Sequence, residues 1–272
     1  MKIKTIELEP RPYTIVIIGD VHEGNANYQE ESFRKAVKLI QNEADGWIGG
    51  GDYVEAINHL DPRFSPKGIH KKYHLSDLDN LPYRQCEYLL DNLYPIKDKC
   101  LGLLSGNHED SLKRHSTFDV VEHLCRELGA DNLDQKVWMS LNFRYNDSKS
   151  IPYKIVGAHG SGSHGGKREG AATNTVYDIF RWDQADFHFM QHLHRQAIDR
   201  AEYNRLEYGT LRREPTYFCV GGCFITKSEE GTDGYFEQRP GKESSIGVIK
   251  LTITPHTSGK SKFTHQAQFV WL

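Results

Sequence analysis

The sequence predicts an α/β protein whose functional site lies on a rim of loops at the C-terminal edge of a sheet. Two observations predict it. Short apolar runs at 14–18, 101–104, 153–156 and 187–190 are interspersed with segments of helical periodicity. Just after those runs come polar clusters: Asp20-Val21-His22, Gly106-Asn107-His108-Glu109, His159 and His192-Leu193-His194, with Gly51-Asp52 between the first two. The carboxyl ends of sheet strands are where open α/β folds hold their ligands.

Taken in order, residues 15–18 read as a fully buried strand, and Phe33, Ala36, Val37 and Ile40 as the apolar face of the helix that follows. Trp47-Ile48 leads into Gly49-Gly50-Gly51-Asp52, a second strand end where small residues let backbone crowd the site. Helical spacing returns at Cys86, Leu89, Leu90, Leu93 and Tyr94. A third strand then delivers Asn107 and His108, and Phe118, Val121, Leu124, Cys125 and Leu128 mark another helix. From Tyr217 onward the chain turns strand-rich. Ile249, Leu251 and Ile253 alternate, as do Phe263, Ala267, Phe269 and Trp271, and these strands could complete a second sheet. Residues 59–80, with Pro and basic side chains, and 227–245, with Gly and Glu, read as insertions in a single domain spanning 1–272.

The chain has 272 residues, a hydrophobic content of 38% and a formal net charge of −3, the composition of a globular protein with no overall basic bias toward nucleic acid. Its apolar runs are far shorter than a membrane span, and Met1-Lys2-Ile3-Lys4-Thr5 opens no signal-peptide stretch, so a cytoplasmic protein without a membrane partner is expected. Cys86, Cys100, Cys125, Cys219 and Cys223 have neither metal nor redox spacing. They read mostly as small buried apolar side chains.

Asp20 with His22, and His192 with His194, are spaced by two, so in an extended segment each pair projects to one side. Oxygen and imidazole ligands without thiolate suit manganese, iron or zinc. The five blocks together resemble the calcineurin-like metallophosphoesterase superfamily over roughly residues 14–195. The resemblance implies a four-layer αββα sandwich of two mixed β-sheets flanked by helices. It also implies two divalent metal ions, manganese first with iron or zinc as alternatives. Asp20, His22 and His194 would bind one ion, Asn107, His159 and His192 the other, and Asp52 would bridge them. A hydroxide shared by the pair would attack a phosphoester in line. His108 would be the catalytic histidine that protonates the leaving oxygen, and Glu55 the carboxylate that orients it through a hydrogen bond.

The pattern departs from protein phosphatases of this superfamily at two arginine positions, here Ala56 and Ser105. Without an arginine fork for the terminal oxygens of a monoester, a phosphodiester substrate, in a nucleotide or nucleic acid, fits better. The loop after His159 offers His164, Lys167 and Arg168 as substrate contacts. Two alternatives stay open. One is a phosphomonoesterase for a phosphoprotein or small metabolite that recruits Lys167, Arg168 or the 59–80 insertion; the other is a non-catalytic interaction scaffold. Gln191 stands where the fifth block usually has glycine, and His188 reads as a core or supporting residue. The basic cluster Arg63, Lys67, His70, Lys71, Lys72 and His74 reads as a solvated insertion.

Overall fold

The computed structural model describes residues 1–56, 64–160, 170–207, 209–226, 243–256 and 262–272. In chain order the elements are β1 (Lys2–Leu8), β2 (Tyr13–Ile18), α1 (Glu30–Glu43), β3 (Gly46–Gly49), α2 (Leu81–Leu93), β4 (Cys100–Leu103), α3 (Asn107–His115) and α4 (Val120–Leu128). There follow β5 (Lys136–Asn146), β6 (Lys149–Ala158), α5 (Ala171–Phe180), β7 (Phe187–Met190), β8 (Ala197–Glu207), β9 (Thr210–Val220), β10 (Gly247–Pro255) and β11 (Phe263–Trp271).

Two mixed sheets form, one in the order β1-β5-β6-β7-β9-β8 and the other β11-β10-β2-β3-β4. Strands β2, β3 and β4 run parallel, with Ile15 opposite Gly46 and Trp47 opposite Cys100, and β6, β7 and β9 run parallel in the other sheet. Alternation along β2 explains the layering. Ile15 and Ile17 join Ile48, Met139, Phe143, Phe187, Leu251 and others in the apolar layer between the sheets. Val16 and Ile18 face the other way, under Phe33, Ala36 and Ile40 of α1, Leu89 and Leu93 of α2 and Leu124 of α4. Helix α5 covers the opposite outer face, where Val176 and Phe180 pack with Val156, Met190 and Phe218. The result is the four-layer αββα arrangement. Because β2 is covered on both faces, it reads as a continuous apolar run.

Two expected apolar positions are corrected. Tyr94 does not continue the buried face of α2; Pro95 follows it, the helix ends at Leu93, and Tyr94 is exposed. Trp271, at the end of the edge strand β11, is also exposed and packs edge-on to Phe269. Of the two insertions, 227–242 lies outside the described residues. Within the first, residues 68–70 pair with 24–26, Ala26 N–H donating to Gly68 O at 2.9 Å and His70 N–H to Gly24 O at 2.9 Å. No helix among the described residues is long and apolar enough to cross a membrane.

Candidate metal centre

The rim at the ends of β2, β3, β4, β6 and β7 gathers every predicted metal ligand. Asp20, His22, Asp52 and His194 form one buried cluster of converging donor atoms, and Asp52, His159 and His192 form a second. Asn107 joins the second, its Oδ1 lying 3.1 Å from His159 Nε2. Asp52 belongs to both. Its Oδ2 lies 3.2 Å from His159 Nε2 and 3.8 Å from His22 Nε2, while its Oδ1 accepts the His108 N–H at 2.9 Å.

The backbone differs from the extended pairs read from the sequence. Among the described residues seven non-glycine positions have positive φ, and five of them are Asp20 (50°), His22 (51°), Asp52 (51°), His192 (75°) and His194 (53°). Left-handed backbone for such residues costs about 1–3 kcal/mol each and persists only where surrounding contacts over-determine it. Here those contacts are a lattice of main-chain bonds. Val21 and His22 N–H both donate to Asp52 O, Asp20 N–H to Gly51 O, and Phe224 N–H to Asp20 O. The pairs converge through left-handed turns beyond the strand ends, not through strand alternation.

Donor chemistry fits divalent cations. His22 Nδ1 donates to Glu55 Oε2 at 3.0 Å, which turns the Nε2 lone pair toward His194 Nε2 at 3.1 Å. His159 Nδ1 donates to Gly50 O at 2.8 Å, leaving Nε2 to face the Asp52 and Asn107 oxygens. Asp20 Oδ2 accepts the His192 N–H at 2.7 Å, and its buried Oδ1 has no hydrogen bond among the described residues and sits 3.7 Å from His194 Nε2. Each of these convergences needs positive charge between the donors, either a proton or a bound cation. The field points the same way. Burial opposes charge on His159, yet Asp52 and Asp20 override it and push the imidazole up to about 10. Burial likewise opposes charge on Asp52, and the histidines His159, His108 and His22 hold it well below the usual carboxylate range.

Glu55 sits differently from its expected place. The hydrogen bond from His108 Nδ1 runs to the Glu55 main-chain carbonyl at 2.6 Å, and the carboxylate takes His22 Nδ1. The reason is geometric: Glu55 N–H is tied to Glu23 O, so the main chain of Glu55 passes over His108 and its side chain turns toward His22. A carbonyl can only accept, so this bond fixes a proton on His108 Nδ1 and leaves Nε2 as the atom that can exchange one. Burial raises the Glu55 carboxyl, but His108 and His22 outweigh it and lower its pKa.

Glu109 is a supporting residue that the sequence reading did not assign. Placed three residues after the Gly106 cap of α3, it reaches back to Gly106 N–H at 3.0 Å and also accepts from Asp52 N–H at 3.0 Å and Tyr53 N–H at 2.6 Å. Burial and the Asp52 charge push its carboxyl up to about 7. The capping spacing Gly-Asn-His-Glu was the available signal. His188 is buried in the layer under α5, stacked on Phe218 with centroids 4.4 Å apart. His164, Lys167 and Arg168 lie outside the described residues.

Gln191 has a local explanation. A Cβ on Gly50, Gly19 or Gly221 would lie 2.4, 2.6 or 2.2 Å from its side chain, so three glycines form a cradle filled by the side chain that replaces the usual glycine. Gly50→Ala is expected to overpack this space and lower unfolding free energy by about 1–3 kcal/mol. Adding Gln191→Gly should recover part of that loss in denaturant unfolding; equal instability of the single and double variants would refute the cradle.

A family model described as calcineurin-like phosphoesterase matches residues 13–210. The chain belongs to that family. No curated protein is significantly similar to it in sequence. Among solved structures it is similar to Yfce, a phosphoesterase from E. coli, at 13% identity and a TM-score of 0.40 over 93% of this chain and 98% of that one. It is similar to GAP50, described as the anchor in the inner membrane complex of Plasmodium, at 10% identity and a TM-score of 0.46 over 96% of this chain and 85% of that one. A zinc-complexed Vps29 from Entamoeba histolytica matches at 11% identity and a TM-score of 0.33, over 94% and 98% of the two chains.

Proposed function

We propose that this chain is a two-metal phosphoesterase that hydrolyses phosphodiesters, with nucleotide or nucleic-acid diesters as the candidate substrates and manganese as the first candidate metal. The observation that carries it is Asp52 Oδ2, set between His22 of one donor cluster and His159 of the other. When bound, a divalent pair would supply a water of lowered pKa and positive charge to offset the phosphoryl oxygens. Asp20, His22 and His194 would hold one ion, Asn107, His159 and His192 the other, and Asp52 both.

The chain's own residues supply the rest. His108, with Nδ1–H fixed on the Glu55 carbonyl, presents Nε2 as the proton donor to the leaving oxygen. Glu55 holds His22, and Glu109 holds the Asp52 loop against the start of α3. We read residues 1–272 as one domain, since both sheets share one apolar layer. We read the protein as cytoplasmic, a compartment in which its cysteines would stay reduced.

Substrate class follows from the two positions without arginine. Ala56 is buried with its N–H on Gln85 Oε1 at 3.0 Å, and the Ser105 hydroxyl is committed to Asp110 at 2.7 Å. Neither offers a fork for a dianionic monoester. With Mn²⁺, catalytic efficiency on bis(p-nitrophenyl) phosphate is expected to exceed that on p-nitrophenyl phosphate. A strong monoester preference that Lys167→Ala and Arg168→Ala abolish would replace the diester reading with a monoesterase.

A further inference from the structure

Glu23 follows the ligand-position residue His22 and is fully buried. Its backbone spans two loops of the centre: its N–H donates to Tyr53 O at 3.0 Å, and its carbonyl accepts Glu55 N–H at 2.9 Å. The spacing between the Asp20-His22 loop and the Asp52-Glu55 loop therefore depends on where Glu23 sits. Its carboxylate is met from the inserted segment, by Lys72 Nζ at 2.7 Å and the Tyr73 hydroxyl at 2.8 Å.

Lys72 belongs to the basic cluster expected to be solvated, and its side chain is only 18% exposed. The ammonium lies over three rings, 5.4 Å from the Tyr28 centroid, 5.8 Å from Tyr73 and 4.7 Å from Tyr88. Such rings stabilise a partly desolvated cation. Glu30, in the first turn of α1, is its other acidic neighbour at 3.9 Å. Together with the backbone bonds at Gly24 and Ala26, this fastens the insertion to the loop that carries Asp20 and His22.

We propose that Lys72 is a positioning residue for the metal centre, setting the cation affinity of the Asp20, His22, Asp52 and His194 cluster by anchoring Glu23. The inference rests on the two-metal reading. The chain of cause has three links. Lys72 balances the buried Glu23 charge, Glu23 fixes the main chain of Glu55, and the Glu55 carboxylate orients His22 toward the cluster. Without Lys72, the Glu23 carboxylate keeps the Tyr73 hydroxyl but loses its cation, and its adjustment would shift the loop that carries His22.

Calorimetric Mn²⁺ binding to chelator-treated full-length protein tests this. Wild type should show two binding events. Lys72→Met should weaken one of them by about 10-fold, the low end of the range for direct partners of metal ligands because Lys72 acts through Glu23 and Glu55, and weaken the other less. Glu23→Gln combined with Lys72→Met leaves neither member of this pair charged and should restore the weakened event to within about twofold of wild type. If Lys72→Met does not fold, the neutral pair is measured against Glu23→Gln alone, which leaves Lys72 uncompensated and should bind more weakly than the pair. A two-event isotherm unchanged in Lys72→Met, or both events lost together without recovery in the neutral pair, overturns the positioning role alone. Wild-type protein that binds neither Mn²⁺ nor Zn²⁺ nor Fe²⁺ removes the metal reading and this inference with it.

Discussion

Asp52→Asn is expected to lose metal and activity together. The substitution is close to isosteric, and its consequence can be divided between the two oxygens. Oδ1 accepts the His108 N–H at 2.9 Å, a role that an amide oxygen keeps, so α3 should remain anchored and the fold intact. Oδ2 faces His159 at 3.2 Å and His22 at 3.8 Å, and replacing it with an NH₂ group removes the charge shared by the two clusters and puts a donor where a cation should sit. Outer partners of metal ligands cost about 10–100-fold in affinity, and a shared ligand should cost more than that at both sites. Elemental analysis should give far less than two ions per chain, with turnover falling in step and circular dichroism unchanged. Full occupancy and wild-type turnover would remove Asp52 from the bridging position.

What the sequence revealed, and what it hid, has a physical pattern. Strands β2 and β7 were visible because both faces are covered, which turns their side chains into continuous apolar runs. Strands β1 and β8 are sheet edges with exposed faces, and Lys2–Leu8 and Ala197–Glu207 alternate too weakly in hydrophobicity to announce themselves. At the centre, the side chains that converge were legible because metal chemistry would restrict such a cluster to a few side-chain types at fixed spacing. Backbone geometry was not. Left-handed conformation is ordinarily signalled by glycine, whereas at Asp20, His22, Asp52, His192 and His194 it is enforced by hydrogen bonds from distant segments. The same applies to Lys72, whose cage comes from Tyr28 and Tyr88, residues no local pattern connects to it.

His108→Ala is expected to separate chemistry from metal binding. The imidazole is buried beside His22, ring centroids 4.7 Å apart, with Nδ1 held by the Glu55 carbonyl. It is thus preorganised near the centre without belonging to either donor cluster around Asp52. The alanine variant should retain two ions per chain, because its backbone N–H still reaches Asp52 Oδ1. Its rate on substrates with poor leaving groups should fall by roughly 10²–10⁴, the usual contribution of a positioned general acid. Esters whose leaving group departs readily as an anion need little protonation, so the defect should shrink as leaving-group pKa falls, and a plot of rate against that pKa should be steeper than for wild type. Removing the imidazole also takes away one of the histidines that hold Asp52 well below the usual carboxylate range. Metal affinity, measured alongside, separates that electrostatic loss from the catalytic one. An equal rate loss across the whole leaving-group series would instead assign His108 an electrostatic or structural role.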